Sequence, residues 1–365
     1  MINNKKHQNK SIKTKPMLMI GPDIKGLGGI SRVARIYSDT GVFKECKIKY
    51  IPSVTDEDIN KLFFLLKNIL FFIKFLITGT RAVYIHASSG KSFYRKSLFL
   101  CLALLFRKKV IFHIHPSHFY DFLMNLSGFK KKFSFSLLLK AATFIVLTES
   151  MKEKISSLFP EKATYVLRNP INLKLFNNSH NNRRRQHQLL FLGWFIPEKG
   201  VYDLVDATEI LIKKGFGLQL YFFGTKQRKE LINYVETKKL AHVIQVGKWL
   251  SDDEKIDYLY KSTMLILPSY SEGIPNVILE AMATKTPIVA TQVGGLSEVL
   301  KNNYNAVITL PGNPERLSSD IERTLKDDQF RERIALNAHK DAREKYDISI
   351  VKERFKKIID STTGQ

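Results

Sequence analysis

The sequence predicts an α/β protein built from two doubly wound domains. Short apolar runs of strand character alternate with helix-forming segments along the 365 residues, beginning at residues 17–21, and this alternation is typical of a parallel sheet covered by helices. The length suits two domains of ordinary size, and a hydrophobic content of 44% can fill two cores. Residues 180–187 (HNNRRRQH) are polar, charged and without periodicity, so we predict the interdomain linker there.

The charge balance suggests one kind of partner and argues against another. Lys and Arg number 58 against 34 Asp and Glu, which gives a formal net charge of +24. The lysines are scattered and no nucleic-acid-binding motif accompanies them, so we predict no nucleic-acid partner. An anionic membrane surface is the expected partner, because the apolar stretches carry the same lysines. Residues 1–15 lack the apolar core of a signal peptide and are predicted to form a disordered basic tail.

Cysteine use indicates a reducing compartment. Cys46 and Cys101 are far apart in the sequence and match no metal-binding spacing. Together with the missing signal peptide, this predicts a protein that works in the cytoplasm, on the inner face of the cell membrane.

The first predicted strand, residues 17–21, leads into the loop PDIKGLGGISRVAR. Its paired glycines, Gly28 and Gly29, would let the backbone approach a ligand without a side-chain clash. A plain tight turn is the alternative. The position directly after the first strand favours a loop that faces a ligand.

Residues 61–77 (KLFFLLKNILFFIKFLI) predict an apolar helix with two lysines on one face, because Lys67 and Lys74 are one heptad apart. The helix is shorter and more charged than a membrane span of ~20 residues. Two readings stay open: an amphipathic helix in the membrane interface, lysines outward, or a helix packed on the first sheet. Residues 56–58 (DED) are expected to supply acidic groups to its first turn.

Two histidines mark the end of a later strand. Residues 82–86 and 109–114 read as strands, and alternation places His113 and His115 on one face. Such a pair can suggest a metal site, but no third ligand follows at zinc spacing, so we predict no metal. Residues 144–147 are another strand, with residues 148–150 (TES) capping a helix that begins near Met151.

The second domain is predicted to open with a strand at residues 189–193. Lys199 follows in the next loop, where its ammonium could stabilise a departing diphosphate; a solvated lysine is the alternative. Strands at 218–224, 243–246 and 265–267 continue the alternation, and Ser251 with Glu254 forms a capping box. Residues 314–340 and 348–359 are predicted to be helical.

The most informative stretch is residues 268–299, PSYSEGIPNVILEAMATKTPIVATQVGGLSEV. Glu272 falls in the loop after a predicted strand, where parallel sheets bind ligands, and Glu280 lies about two turns into the following helix. An ionised carboxylate can accept two hydroxyl donors at once, which suits a sugar ring or a ribose. The start of the helix suits a phosphate, and it comprises Gly273, Ile274, Pro275 and Asn276.

The strings SEGIPNVILEAMA and VGGLSEV resemble those of the retaining GT-B glycosyltransferases of the glycogen-synthase and mannosyltransferase type (glycosyl transferases group 1, family 4). The resemblance runs from about residue 17 to 355 and is strongest over 190–299. It implies two Rossmann-like domains facing a central cleft, with residues 16–178 on the acceptor side and 186–345 binding the donor. It also implies a terminal helix, about 346–362, that packs back on the first domain.

The resemblance implies transfer of a sugar from a nucleoside diphosphate sugar to a hydroxyl acceptor without metal or other cofactor. Catalytic roles then fall to Glu272, His115 and Lys199. The implied donor-binding residues are Gly28, Gly29, Lys199, Glu272, Gly273, Ile274, Pro275, Asn276 and Glu280, with Glu280 on the ribose. The family usually has Arg where this chain has Trp194, which leaves Lys199 as the main identifiable phosphate cation.

The expected acceptor is a lipid-linked glycan in the synthesis of a bacterial surface polysaccharide such as capsule, lipopolysaccharide or exopolysaccharide. The transferred group would be a hexosyl or N-acetylhexosaminyl residue. Two alternatives are a nucleotide-sugar epimerase of the same fold and a basic nucleic-acid-binding protein.

Overall fold

A computed structural model describes residues 15–57, 59–176 and 187–364 of the chain. Within them lie two six-stranded parallel sheets with helices between the strands. This confirms the predicted α/β class with two doubly wound domains. The predicted tail lies outside the described residues apart from Lys15, and so does the predicted linker apart from His187.

The first sheet has the strand order β2-β1-β3-β4-β5-β6. Its strands are β1 Met17–Gly21, β2 Ile48–Pro52, β3 Ala82–Ala87, β4 Lys109–Ile114, β5 Thr143–Val146 and β6 Ala163–Val166. The accompanying helices are α1 Gly29–Asp39, α2 Val42–Glu45, α3 Lys61–Thr78, α4 Gly90–Leu105, α5 Phe119–Met124, α6 Gly128–Leu138 and α7 Glu149–Leu158. Successive residues of β1 bury on opposite faces, Leu18 in one core and Met19 in the other, which explains why the strand is apolar throughout.

The second sheet has the order β12-β11-β10-β7-β8-β9. Its strands are β7 Gln188–Phe195, β8 Gln219–Lys226, β9 Ile244–Gly247, β10 Met264–Leu267, β11 Ile288–Thr291 and β12 Val307–Thr309. The helices are α8 Val201–Lys213, α9 Arg228–Thr237, α10 Asp252–Lys261, α11 Asn276–Ala283, α12 Leu296–Val299, α13 Pro314–Lys326, α14 Asp328–Lys345 and α15 Ile348–Thr363. Short 3-10 turns occupy Leu173–Phe176 and Pro197–Lys199.

Each sheet reverses its winding once, between β1 and β3 in the first and between β7 and β10 in the second. In doubly wound sheets the ligand crevice lies at this reversal, outside the carboxyl ends of the strands. The loops after β1, β3, β7 and β10 are therefore the ones placed to bind ligands.

The last helix returns to the first sheet. Val351, Phe355 and Ile359 of α15 belong to the same buried core as Met17 and Met19 of β1. The chain thus crosses between the two sheets a second time, after α14, and this crossing ties the sheets together.

Some sequence-based expectations for helix ends hold. Thr148 caps α7 by accepting a hydrogen bond from the Met151 amide at 3.2 Å, and the capping box of Ser251 and Glu254 is present at α10. Residues 314–340, predicted to be helical, are divided between two helices. They form α13 and the first part of α14, with Asp327 between them capping α14 through the Phe330 amide.

The acidic first turn predicted for α3 is wrong. Asn60 caps this helix through the amides of Leu62 and Phe63. Asp56 lies outside the helix, and its carboxylate accepts a hydrogen bond from the Leu27 amide at 3.1 Å. Asp58 is outside the described residues.

Helix α3 has an apolar inner face and an apolar outer face. Its inner face buries Phe72 and Leu76 in the core of the first sheet, so the helix does pack on that sheet. Its outer face exposes Lys67 and Lys74 together with six large apolar residues: Leu62, Phe63, Leu66, Leu70, Phe71 and Ile77. Among the described residues, no helix combines the length and the apolar character that a membrane span requires.

Candidate active site in the cleft between the sheets

Two adjoining cavities occupy the cleft between the carboxyl ends of the two sheets. The first has a volume of about 630 Å³ and the second about 620 Å³, sizes ordinary for small-ligand sites. Five of the predicted site residues line both cavities, namely Gly28, Gly29, Glu272, Pro275 and Asn276, whereas Lys199 and Glu280 line the first cavity only.

 Trp194, which stands where the resembled family usually has Arg, also lines both cavities. His115, Gly273 and Ile274 line the second cavity. The fold therefore brings every predicted site residue to this one cleft.

Glu272 lies in the loop after β10 and is almost buried, with 8% of its surface exposed. Its Oε1 atom accepts hydrogen bonds from Lys199 Nζ at 2.6 Å and from Ser269 Oγ at 2.8 Å. Among the described residues, Oε2 has no partner. One carboxylate oxygen is thus fixed by the protein, and the other is left to accept a hydroxyl group of a ligand.

Glu280, on α11, is 1% exposed and holds a different set of cations. Its Oε1 atom accepts a hydrogen bond from Lys255 Nζ of α10 at 2.7 Å. Arg32 Nε of α1 lies 3.3 Å from the same oxygen, but it is not aligned to donate a hydrogen bond. A ribose bound at Glu280 would therefore share this carboxylate with Lys255.

Helix α1 of the first sheet reaches across the cleft through two arginines. Arg32 Nη1 lies 2.5 Å from Asp252 Oδ2, and Arg35 Nη1 lies 3.3 Å from the same atom. Although burial alone would raise it, the pKa of Asp252 is lowered by Arg32, Lys255 and Arg35. These ion pairs draw the glycine loop toward the second domain. Neither arginine was predicted as a site residue, although their spacing in SRVAR, soon after Gly28 and Gly29, places both on one face of a helix that follows the glycine loop.

A second cation accompanies Trp194. Lys226 ends β8, next to the end of β7, because Trp194 pairs with Thr225. The Lys226 ammonium lies 5.2 Å from the centroid of the Trp194 ring, and Lys226 also lines the second cavity. Its φ of +85° is unfavourable for any residue other than glycine. Lys199 is therefore joined by another lysine at the position where the family usually has Arg.

The loop that carries Glu272 is held from the first domain. Asn169 Nδ2 donates to the Ile274 carbonyl at 2.9 Å, and Asn276 Nδ2 donates to the Gly29 carbonyl at 3.0 Å. A Cβ atom on Gly273 would lie 3.0 Å from the His115 carbonyl oxygen. The loop thus sits directly between the two sheets.

The glycine pair of VGGLSEV supports the same loop from behind. Gly294 has a φ of +53°, and a Cβ atom there would lie 2.1 Å from the Glu272 carbonyl oxygen. The Gly295 amide donates to that oxygen at 3.0 Å. Only a residue without a side chain permits this approach, which positions the Glu272 backbone.

His115 belongs to a buried group of three imidazoles. The spacing of His113 and His115 did not reveal the third member, His86, because it lies on β3, paired in register with His113 of β4. His86 Nδ1 and His115 Nε2 are 2.8 Å apart, and Tyr84 hydroxyl is hydrogen-bonded to His113 Nδ1 at 2.6 Å. Burial lowers the pKa of all three histidines, that of His113 to about 3.

The neutral imidazoles could in principle ligate a metal ion, since their ligand atoms lie within 4.8 Å of one another. The hydrogen bond between His86 and His115 uses one ring nitrogen of each. In this arrangement the cluster fixes the orientation of the His115 ring toward the second cavity.

Comparison with known proteins gives a family match over the second domain. Residues 174–341 match the family model "Glycosyl transferases group 1". An uncharacterised glycosyltransferase of Methanocaldococcus jannaschii is 30% identical over 236 residues, 64% of each chain. A capsular polysaccharide biosynthesis glycosyltransferase of Staphylococcus aureus is 27% identical over 255 residues, 64% of this chain and 66% of the relative.

A third relative is 34% identical over 172 residues, 47% of this chain and 44% of the relative. It is the N,N'-diacetylbacillosaminyl-diphospho-undecaprenol alpha-1,3-N-acetylgalactosaminyltransferase of Campylobacter jejuni. The matched regions therefore span between 44% and 66% of these relatives' lengths.

Solved structures share the fold over nearly the whole chain. The sucrose-phosphate synthase of Thermosynechococcus elongatus superposes with a TM-score of 0.76 at 16% identity, covering 95% of this chain and 98% of that one. An Anabaena protein solved in complex with UDP and glucose gives 0.74 at 16% identity, covering 95% and 100%. At these identities the likeness concerns the fold.

Proposed function

We propose that this chain, which belongs to the group 1 glycosyltransferases and has their GT-B fold, transfers a sugar from a nucleoside diphosphate to an acceptor hydroxyl with retention of configuration. One observation carries the proposal. Glu272 and Glu280, two buried carboxylates, line one cavity at the carboxyl end of the second sheet. Each is matched by a lysine, so each can hold hydroxyl groups without leaving an uncompensated charge.

In the proposed reaction, the bond between the anomeric carbon and the diphosphate oxygen breaks, and a bond from that carbon to the acceptor oxygen forms. The nucleoside diphosphate leaves with the bonding electron pair, and its departing oxygen accepts the hydroxyl proton of the acceptor. The chain must therefore orient the sugar and stabilise negative charge on the departing diphosphate.

The proposed roles follow from position. Glu272 accepts hydrogen bonds from the donor sugar, Glu280 from the ribose, and His115 contacts the sugar from the opposite side of the cleft. Lys199 stabilises the diphosphate, with the glycine loop and the start of α11 beside it. Since these groups supply the positive charge, we propose that transfer needs no metal. A rate that falls in excess chelator and recovers with a divalent cation would contradict this.

The donor and acceptor classes are proposed from the relatives. The Anabaena neighbour was solved with UDP and glucose, so UDP-sugars are the first donors to test. The S. aureus relative is named for capsular polysaccharide biosynthesis, and the C. jejuni relative for a diphospho-undecaprenol substrate. We propose a lipid-linked glycan acceptor in surface-polysaccharide synthesis, receiving a hexosyl or N-acetylhexosaminyl group.

We propose further that the protein docks on an anionic membrane from the cytoplasmic side through α3. The outer face of this helix presents Lys67 and Lys74 among six exposed large apolar residues. Apolar side chains can enter the interface while lysines meet anionic headgroups. A lipid-linked acceptor would then be reached from the surface that contains it.

Substitution of Glu272 tests the transferase proposal. The purified protein is incubated with a radiolabelled UDP-sugar and a membrane extract, and label is followed into the lipid and polymer fractions. Glu272→Gln keeps the size of the side chain but removes its charge, and we expect transfer to fall about a hundredfold or more. Glu230→Gln, on the exposed surface of α9, is the matched control and should keep the wild-type rate.

Other outcomes would change the assignment. Label found in a different free nucleotide sugar, with none in lipid or polymer, would indicate an epimerase. Full transfer by Glu272→Gln would remove the proposed role of this carboxylate. A thermal-shift screen across nucleotide sugars identifies the donor, because a bound donor stabilises the folded state by mass action.

A further inference from the structure

The wall of the second cavity that belongs to the first domain contains two cations without an acidic partner. Arg95 and Lys96 lie side by side on α4 and both line this cavity. Lys96 is only 1% exposed. Among the described residues no carboxylate forms an ion pair with either one, and the charge that acts on Lys96 is that of Arg95. Buried charges are ordinarily paired, because an unpaired one loses its hydration without compensation.

The cations do not stand alone on this wall. Ser88 and Ser92 line the same cavity, and Ser92 lies in the first turn of α4. That helix begins without a side-chain cap and has no acidic residue in its first turn, so its amide groups and the positive end of its dipole remain available. Arg95 Nε is buried and has no hydrogen-bond partner. Two hydroxyls and two cations therefore line the same cavity, beside the start of α4.

The acidic residues of the same cavity are engaged elsewhere. Glu272 is paired with Lys199 at 2.6 Å. Asp56 is exposed and accepts a hydrogen bond from the Leu27 amide. The positive charge of Arg95 and Lys96 is therefore not neutralised by the protein's own carboxylates, which suits this wall to an anionic ligand.

We propose that Arg95, Lys96 and the start of α4 bind a phosphate group of the acceptor substrate. This rests on the proposed transferase function and deepens it by assigning the charge and position of the acceptor. Phosphate fits better than a carboxylate, because it offers more acceptor oxygens and can carry the two negative charges that match Arg and Lys.

The position of the site limits how far the phosphate lies from the reacting hydroxyl. Lys96 acts electrostatically on His86 and His115, and His115 shares the second cavity with Glu272. The phosphate site and the proposed sugar site thus lie in one cavity of about 620 Å³. The acceptor hydroxyl belongs to a sugar attached close to its phosphate, as in the first sugars of a chain carried on a lipid diphosphate, and not to the distant end of a long glycan.

The test measures phosphate binding separately from donor binding. With UDP saturating the donor site, inorganic pyrophosphate and farnesyl diphosphate are titrated calorimetrically into the full-length protein. The wild-type protein should bind both. Arg95→Gln and Lys96→Gln should each weaken that binding about tenfold or more, since each removes a charge-assisted contact. UDP affinity should stay at the wild-type value in both variants.

Lys91→Gln is the matched control, because Lys91 lies on the same helix but is exposed and does not line the cavity. If Lys96→Gln does not fold, Arg95→Gln alone decides the question. Pyrophosphate binding that is unchanged in the folded variants, or a loss of UDP affinity instead, would overturn the proposal. Tight binding of glucuronate in place of pyrophosphate would also overturn it, in favour of a carboxylate site.

Farnesyl diphosphate and inorganic pyrophosphate together show whether the site recognises a lipid-linked phosphate or the phosphate alone. Equal dependence of both probes on Arg95 and Lys96 supports recognition of the phosphate itself, whereas binding of farnesyl diphosphate that ignores both residues means that only its lipid part is held. Failure of the transferase proposal would appear differently, as absent UDP binding or absent transfer with the phosphate site intact.

Discussion

The two halves of the cleft balance their charges in opposite ways. On the second-domain side each buried carboxylate has a lysine, Glu272 with Lys199 at 2.6 Å and Glu280 with Lys255 at 2.7 Å. On the first-domain side Arg95 and Lys96 have no carboxylate within ion-pair distance among the described residues. A paired carboxylate suits neutral hydroxyl groups, whereas unpaired cations suit an anion. The carboxylates of the second-domain half therefore suit neutral hydroxyl groups, whereas the unpaired cations of the first-domain half suit an anionic group.

Lys199→Ala would remove the charge balance of the second-domain half of the cleft and should have the largest effect on activity. It removes the partner of Glu272 and the cation proposed to stabilise the departing diphosphate, so we expect kcat/KM to fall about 10²- to 10³-fold with any acceptor. Steady-state kinetics with the identified donor measure this. Lys213→Ala, at an exposed lysine of α8, is the control; a Lys199→Ala enzyme as fast as this control would contradict the assigned role.

Gly294→Ala should have the next largest effect, because it displaces Glu272 without changing any charge. A Cβ atom at this position would meet the Glu272 carbonyl oxygen at 2.1 Å in a backbone with positive φ. We expect the free energy of unfolding to fall by about 1–3 kcal/mol and donor affinity to fall with it. Thermal unfolding and donor titration provide the two readouts.

Gly217→Ala is the matched control for this prediction. A Cβ atom at Gly217 would meet nothing within 4 Å, and its φ is not in the left-handed region. If Gly294→Ala binds the donor as tightly as Gly217→Ala does, the loop does not depend on this glycine.

The second-domain half of the cleft, where each buried carboxylate has a lysine, could be predicted from sequence far better than the first-domain half. Glu272, the start of α11 and Glu280 follow one another within a few residues, so a local pattern contains the whole arrangement. Strands β10 and β11 are short, fully apolar runs and are recognisable for that reason. By contrast, β2 is an edge strand with exposed Lys49, and β12 has three residues. Neither was predicted.

The first-domain half of the cleft, with Arg95 and Lys96, depends on tertiary contacts that no local sequence pattern contains. Lys96 looks like any other lysine in a chain with 58 Lys and Arg, and only its burial against β3 and β4 distinguishes it. His86 joins His113 and His115 because two strands pair in register, and spacing along the chain cannot show that. Burial and strand adjacency are properties of the fold, which is why these residues were missed.

The pH dependence of acceptor binding should distinguish the first-domain half of the cleft from the second-domain half. Burial lowers the pKa of Lys96 to about 7, so its charge is lost as the pH rises above neutrality. We expect the KM for a phosphate-bearing acceptor to rise several-fold between pH 7 and pH 9, while donor affinity stays level. Lys96→Arg, which keeps its charge, should flatten this profile.

Several charged or titratable groups face Lys96. They are Arg95 on α4, His86 on β3 and His115 after β4, together with Asp56, Lys226 and Glu272 in the cavity. Both histidines have a lowered pKa and stay neutral above pH 7. The unfolded chain binds more protons at Lys96 from about pH 7 to its ordinary 10.5, so Lys96 should make stability rise with pH there. An acceptor KM that is independent of pH would contradict the role of Lys96.

The smallest effect is expected from substitutions on the outer surface of the first domain, which are predicted to change membrane docking. Helix α3 presents Lys67 and Lys74 among exposed apolar side chains, and each lysine near an anionic surface contributes about 1 kcal/mol. Flotation with anionic and neutral vesicles measures docking. Lys67→Glu combined with Lys74→Glu should release the protein from anionic vesicles, as should high salt, because both weaken the attraction.

The double variant Lys229→Glu with Lys340→Glu is the matched control. It changes the net charge by the same amount on the exposed surface of the second domain, and it should still float. Equal release of both double variants would mean that net charge alone, and not α3, holds the protein at the membrane. Equal recovery of the wild-type protein with neutral and anionic vesicles would remove electrostatic docking and leave the transferase proposal standing.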